Sequence, residues 1–395
     1  VIKVASISYE EYVARRALML SEVKSMLSEK AVSRAIGDWH AKRPPRPCGL
    51  TIHPGIGCPY ACLYCYIQDL GFSFGECRPY GLTGDEMVLA ILSNPWFIPG
   101  VMGTFLAFGS VCEPFHESCL DKTMEYLNKV SLMLSNPCQV SSKASLSDES
   151  IKRLKGIAKL KLNPLITIIA LSRSQVLEAK APTPQERLET ISKLRRAGFK
   201  PFLFLRPLIP GVDEVEKVIS EAKRAGAIGV VVGGFKVSRN ILNRLERAGI
   251  YLKGVKSPKA GLMEVSVKEA KAEALKIVRE KGLIALKSAC CANAISASSQ
   301  TGTRIPCASL CYVEGTFCSK GCPNECLKFL PDVSVDDVKL AIKRELNVDV
   351  GDVEVGQKSI LARTKSRVQV SSRGKHRLTL RKLETLYRRR ITLIA

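Results

Sequence analysis

The sequence predicts an α/β protein: a partial (β/α)6 TIM-type barrel with an N-terminal helix, a Cys-rich segment and a small basic α+β C-terminal domain. Three observations carry that expectation. Six short aliphatic runs alternate with amphipathic stretches between residues 50 and 249, the pattern of a parallel sheet covered on its faces. Two of the amphipathic stretches, "TPQERLETISKLRRAG" and "DEVEKVISEAKRAG", end in a basic turn followed by Ala-Gly, which closes a helix. Six such units favour a barrel over an open sheet, with function gathered at the C-terminal ends of the strands.

Taken in order, residues 10–36 read as one amphipathic helix, followed by the basic, Pro-rich "KRPPRP" at 42–47. The strands are expected in "LTIHP" (50–54), "GTFLAFG" (103–109), "CQVSSK" (138–143), "LITIIAL" (165–171), "PFLFLRP" (201–207) and "IGVVVGG" (228–234). Residues 250–289 read as a further strand–helix–strand. Ser334 and Asp337 stand as a capping box before "VDDVKLAIKRELN", and "DVEV" and "RVQV" alternate as strands do. The expected spans are 1–48 for the N-terminal helix and linker, 49–249 for the barrel, 250–330 for the Cys-rich extension and 331–395 for the basic domain.

Composition narrows the class. No run approaches the roughly 18 apolar residues of a membrane helix, and the N-terminal stretch is too charged for a secretory signal, so a cytoplasmic protein is expected. The net charge is +23, from 60 basic and 37 acidic residues. From Lys358 onward there are twelve Lys or Arg and one acid, Glu384. Such a surface attracts polyanions, because each neutralised phosphate releases counterions. Lys365, Arg367, Arg373, Lys375, Arg377 and Arg381 interleave with Val, Ser and Leu in strand-like alternation and are the expected nucleic-acid contacts. Arg388, Arg389 and Arg390 read as a solvated helix end.

Fifteen cysteines in a chain of this size point to metal more than to disulfides. Cys58, Cys62 and Cys65, in "HPGIGCPYACLYCYIQ", have the spacing C-x3-C-x2-C and no fourth partner nearby. A structural zinc normally takes four protein ligands, and electron-transfer ferredoxins supply four cysteines per cluster. Three thiolates hold three irons of a 4Fe–4S cluster and leave one iron open. That iron can chelate the amino and carboxylate groups of S-adenosylmethionine, whose reductive cleavage yields a 5′-deoxyadenosyl radical.

With Tyr64 before Cys65 and a strand before the loop, the motif resembles the radical SAM superfamily, and more particularly its spore photoproduct lyase-like branch. "GCPYACLYCY" looks like that branch's cluster loop. "GSVCEPFHE" (109–117) resembles its Gly-Thr-Val-x-Asp-Pro segment, with Glu113 as a longer carboxylate, and "EAKAPTPQERLETISKLRRAGF" and "LRPLIPGV" fit its middle region. The likeness spans about residues 50–245. It implies that Cys58, Cys62 and Cys65 ligate the cluster. Gly109 and Ser110 would contact the SAM amino group, and Ser142 and Lys143 its carboxylate or ribose. Ser172 and Arg206 are further cofactor contacts, with a helix cap and a barrel-closing ion pair as their structural alternatives. Cys112, beside that pocket, is a candidate hydrogen-atom donor or sulfur acceptor, or a buried small hydrophobe, and Glu113 is grouped with it as catalytic. His53 and His116 flank strand ends.

A second group comprises Cys290, Cys291, Cys307, Cys311, Cys318, Cys322 and Cys326. It lacks the C-x2-C knuckle of zinc ribbons, so a second iron–sulfur cluster is expected, with zinc as the alternative. Together these features predict a radical SAM enzyme that modifies a nucleic acid, RNA such as tRNA before DNA, served by an electron donor such as ferredoxin. The alternatives are a DNA photoproduct lyase, a maturase acting on a protein or peptide, and a non-catalytic iron–sulfur nucleic-acid binder.

Overall fold

The computed structural model describes residues 2–3, 7–46, 49–212, 214–252, 254–307, 326–365 and 374–394. Its centre is a seven-stranded, wholly parallel sheet. The strands are β1 (Leu50–Ile52), β2 (Leu106–Phe108), β3 (Cys138–Ser142), β4 (Leu162–Thr167), β5 (Phe202–Leu205), β6 (Gly229–Val232) and β7 (Ile284–Leu286). They lie side by side in chain order, the arrangement of a partial TIM-type barrel. The sheet has one strand more than the six expected. The addition, β7, comes from the extension, whose other strand, Met263–Val265, instead pairs antiparallel with Phe235–Val237. β4 and β6 are buried along their whole length, which is why they read as continuous aliphatic runs rather than alternating ones.

The region expected as one long helix is three: α1 (Tyr9–Ser25), α2 (Glu29–Gly37) and α3 (Trp39–Lys42). The side chains of Ser28 and Asp38 accept from Ala31 N and His40 N, so each caps a fresh helix where the apolar period alone runs on. The outer helices include α4 (Gly84–Ser93), α5 (Glu117–Met133), α6 (Asp148–Gly156), α7 (Pro184–Arg196), α8 (Val215–Arg224), α9 (Arg239–Arg247) and α10 (Lys268–Glu280). α7 opens on a Thr183/Glu186 capping box and is followed by Gly198 in a left-handed conformation, as α8 is by Gly226.

Helix α11 (Ala289–Thr301), which begins directly after β7, packs against the inner face of the sheet. Cys290, Cys291 and Ala294 pack with Phe105, Leu165, Phe202 and Val231 in a core separate from the one outside the sheet. Ser296 Oγ lies 3.2 Å from Asn163 Oδ1, and Gln300 donates to Leu162 O at 2.8 Å. The start of the Cys-rich segment, residues 290–300, is thus tied to the inside of the barrel.

The C-terminal module comprises α12 (Val335–Leu346), β8 (Val350–Val355), β9 (Ser359–Thr364), α13 (Lys375–Tyr387) and β10 (Arg390–Ile394). β9 pairs antiparallel with β8 and parallel with β10. α1 belongs to its core, through Tyr9 and Tyr12. Ser334 caps α12, but the Asp337 carboxylate does not return to it. It accepts instead from Tyr9 N at 2.8 Å and from the Tyr387 hydroxyl at 2.9 Å.

Two expectations about the basic tail are corrected here. Arg388 is fully buried and donates to Met102 O at 2.6 Å, with its guanidinium 5.9 Å from the Phe105 ring. Arg389 reaches Pro331 O at 2.7 Å. Neither is a solvated helix end, because carbonyls just before β2 bind the Arg388 fork and carbonyls of the C-terminal module bind the Arg389 fork. Lys375, Arg377 and Arg381 lie on a helix rather than a strand, and Arg377 is held bidentate by Glu384 at 3.0 and 3.1 Å. Lys365 and Lys375 are exposed. Arg367, Arg373 and "RVQV" lie outside the described residues.

Candidate functional site

At the C-terminal end of the strands is a cavity of about 280 Å³. Cys58, Cys62 and Cys65 line it from the loop after β1. Gly109, Ser110, Cys112 and Glu113 line it from the loop after β2, Ser142 and Lys143 from the end of β3, and Arg206 from the end of β5. Most of the candidates are therefore brought together. Ser172 is not: it is exposed, and its hydroxyl and amide donate to Glu214 at the start of α8. A carboxylate two residues past the "LIPGV" run holds that serine in a structural hydrogen bond.

The cysteine loop is held by partners from distant parts of the chain. Leu63 N donates to Leu177 O at 3.0 Å. Arg244, on α9, donates to Leu63 O at 3.0 Å, to Cys65 O at 2.6 Å and to Gln68 Oε1 at 2.7 Å. The Tyr64 hydroxyl donates to Glu178 Oε1. Glu178 pairs with Arg187 at 2.5 Å, both fully buried, and Arg187 also donates to Thr167 O at 2.9 Å and Pro182 O at 2.8 Å. The "EAKAPTPQER" stretch thus supplies a buried ion pair that links the cysteine loop to β4.

Glu113 and Ser142 serve each other. Ser142 Oγ donates to Glu113 Oε1 at 2.6 Å and accepts from Ala144 N at 2.9 Å, while Glu113 Oε2 accepts from Lys143 N at 2.8 Å. Burial pushes the Glu113 carboxyl up despite those donors. Glu113 is a positioning residue that ties the second loop to the third strand, and Ser142 has little left to offer a ligand. Gly109 has φ +92°, and a Cβ there would lie 2.5 Å from Ser141 O. Only glycine fits that crossing.

Burial pushes Cys58 up to about 12 and Cys62 to about 11. Burial also opposes the charge on Lys143, yet Cys62, Glu178 and Cys65 outweigh it and hold the ammonium protonated. A second chain of polar groups was not legible in the sequence. Asp38 accepts from His40 Nδ1 at 2.7 Å, His40 Nε2 accepts from His53 N at 3.1 Å, and His53 Nε2 lies 3.0 Å from Ser110 Oγ. Burial, with His40 and Arg43 nearby, takes His53 down to about 3, so it meets Ser110 as a neutral ring. His116, by contrast, is the N-cap of α5.

Three unbridged thiols on one loop wall, beside the half-buried Lys143, suit a cluster with three protein ligands. Of the second group, Cys290, Cys291, Cys307 and Cys326 are buried. Cys291 exchanges hydrogen bonds with Cys290 and Cys307, and Cys291, Cys307 and Cys326 line a second cavity of about 40 Å³. Cys311, Cys318 and Cys322 lie outside the described residues.

No protein-family profile matches the chain. An uncharacterized protein of Methanocaldococcus jannaschii is 21% identical over 192 residues, 46% of this chain and 71% of that protein. An uncharacterized protein of Acidianus two-tailed virus is 22% identical over 218 residues, 52% of this chain and 68% of that one. Among solved structures, the chain is similar to a spore photoproduct lyase at 17% identity and a TM-score of 0.47, covering 60% of this chain and 74% of that one. It is also similar to Streptococcus suis SuiB bound to S-adenosylmethionine, at 13% identity and a TM-score of 0.38, covering 51% and 46%. Both neighbours are radical SAM enzymes.

Proposed function

We propose that the chain is a radical SAM enzyme that modifies a nucleic acid, with a structured RNA as substrate. The observation that carries this is the gathering of Cys58, Cys62 and Cys65 in the wall of the strand-end cavity, together with Ser110, Lys143 and Arg206. A 4Fe–4S cluster bound by the three thiolates would supply the electron that cleaves SAM to a 5′-deoxyadenosyl radical. The residues of the chain do the rest. Lys143 sets a fixed positive charge beside the thiols, suited to a carboxylate. Ser110, oriented by His53, offers a hydroxyl on the adjoining wall. Arg206, exposed at the mouth, meets anionic groups as they enter. Cys112, on the same wall, is the candidate hydrogen-atom donor. A second iron–sulfur group would fall to the cysteines around α11.

Charge supports the nucleic-acid reading. The chain carries +23 overall, and Lys365 and Lys375 are exposed on the C-terminal module. An unpaired or flipped base suits a cavity sunk at strand ends, which a duplex cannot enter. The same surface charge suits an acidic low-potential electron donor such as ferredoxin.

Anaerobic protein given SAM and a strong reductant is expected to release 5′-deoxyadenosine, read by chromatography, and no release would sink the enzyme assignment. The substrate class has its own test. Replacing both Lys365 and Lys375 by Ala should make the slope of log affinity against log salt shallower by about 1.4 for single-stranded RNA and about 1.8 for a duplex. An unchanged slope would remove the C-terminal module as the phosphate contact.

A further inference from the structure

Three cysteines outside both metal-ligand groups meet behind the cavity wall. Cys112 comes from the loop after β2, Cys119 from the first turn of α5, and Cys77 from the segment leading into the short strand Arg78–Pro79. All are free thiols, buried together in a cluster separate from the aliphatic cores.

The backbone is arranged to admit them. A Cβ at Gly55 would lie 2.3 Å from Cys119 Sγ and 3.3 Å from Cys77 Sγ, so any other residue would occupy the space of the sulfurs. The three members also differ in access. Cys119 is fully buried, whereas Cys112 lines the strand-end cavity. The neighbouring Cys112, Cys77 and Ser118 hold the Cys119 thiol below the ordinary thiol range against its burial, while Cys119, Cys77 and burial push Cys112 up. One sulfur faces the cavity, and a second, more readily ionised one packs with it in the same buried cluster.

We propose that Cys112 and Cys119 form a redox-active dithiol that closes to a disulfide by exchange with a small organic disulfide entering the strand-end cavity. Cys112 sulfur attacks one sulfur of the incoming disulfide, forming a mixed disulfide and releasing the first small thiol, which carries off the Cys112 proton. Cys119 sulfur then attacks Cys112 sulfur, and the S–S bond of the mixed disulfide breaks to release the second small thiol, protonated by solvent when Cys119 starts as thiolate. The pair loses two electrons and the small disulfide gains them. Closure takes the free thiol out of the cavity wall, so whatever hydrogen or sulfur chemistry uses Cys112 is switched off until a dithiol reopens the bond. The inference stands whether or not the cavity takes SAM.

The test uses the full chain, reduced and purified without oxygen, then treated with cystamine, quenched with iodoacetamide in denaturant and digested unreduced with a glutamyl endopeptidase. Cleavage after Glu76, Glu86 and Glu117 puts Cys77, Cys112 and Cys119 on separate peptides. The Cys112–Cys119 linked pair is expected to exceed the cysteamine adduct at Cys112 by about tenfold or more, since attack between groups packed in one cluster has a high effective concentration. Dithiothreitol should abolish the linked pair. In Cys119→Ala, or Cys119→Ser if alanine disturbs folding, Cys112 should retain the adduct or pass to Cys77. A stable adduct at Cys112 in the parent protein would overturn the proposal, as would an unmodified Cys112 or a Cys77–Cys119 pair.

Discussion

Cys62→Ala is expected to lose the iron bound by its loop and all release of 5′-deoxyadenosine, with the fold retained. Cys62 is the most buried of the trio, and it follows Ala61, whose φ of +46° sets the turn. The flanking Leu63 and Cys65 are held by Leu177 and Arg244 through backbone atoms, so the substitution removes a sulfur and little else. Losing one of three protein ligands leaves a cluster held by two, and activity should vanish rather than fade. Iron and sulfide content, circular dichroism and the nucleoside assay read the three effects separately. Iron should remain at the cysteines around α11. Full cleavage by the variant would contradict the ligand assignment, and loss of all iron would mean that the second group is no independent site.

Breaking the Glu178–Arg187 pair should be the most destabilising polar change in the barrel. Both groups are fully buried at 2.5 Å, so Glu178→Ala strands the Arg187 charge in a low-dielectric site, at a cost of about 3–5 kcal/mol. Arg187→Met strands the opposite charge at a similar cost. Replacing both together, Glu178→Leu with Arg187→Met, should recover much of the loss, because two apolar groups need no compensation. Tyr64 loses its acceptor in either variant that removes the carboxylate, so cofactor binding should weaken even where stability is recovered. Urea midpoints for the two single variants and the double provide the check. Single variants that cost less than about 1 kcal/mol, or a double variant as unstable as their sum, would contradict the buried-pair account.

The sequence alone determined the features that repeat locally. Aliphatic runs of strand length, helix stops such as Ala197-Gly198 and the Cys58-x3-Cys62-x2-Cys65 spacing are written within a few residues, and each appears where its pattern predicts. Their common destination was also legible, since βα units of one hand put strand ends on one face. What only tertiary structure decided concerns partners far apart in the chain. Arg388 looks solvated in a run of three arginines, yet carbonyls 286 residues away at Met102 bury it. Ser172 looks like a ligand contact until Glu214 claims it. Arg244, Glu178 and the His40–His53 relay carry no local signal, because burial and charge pairing belong to the folded chain and not to any window of it. The thiols of Cys77, Cys112 and Cys119 have no motif spacing. They form a site only because the loop after β2, the first turn of α5 and a side-chain-free Gly55 leave room for three sulfurs in one place.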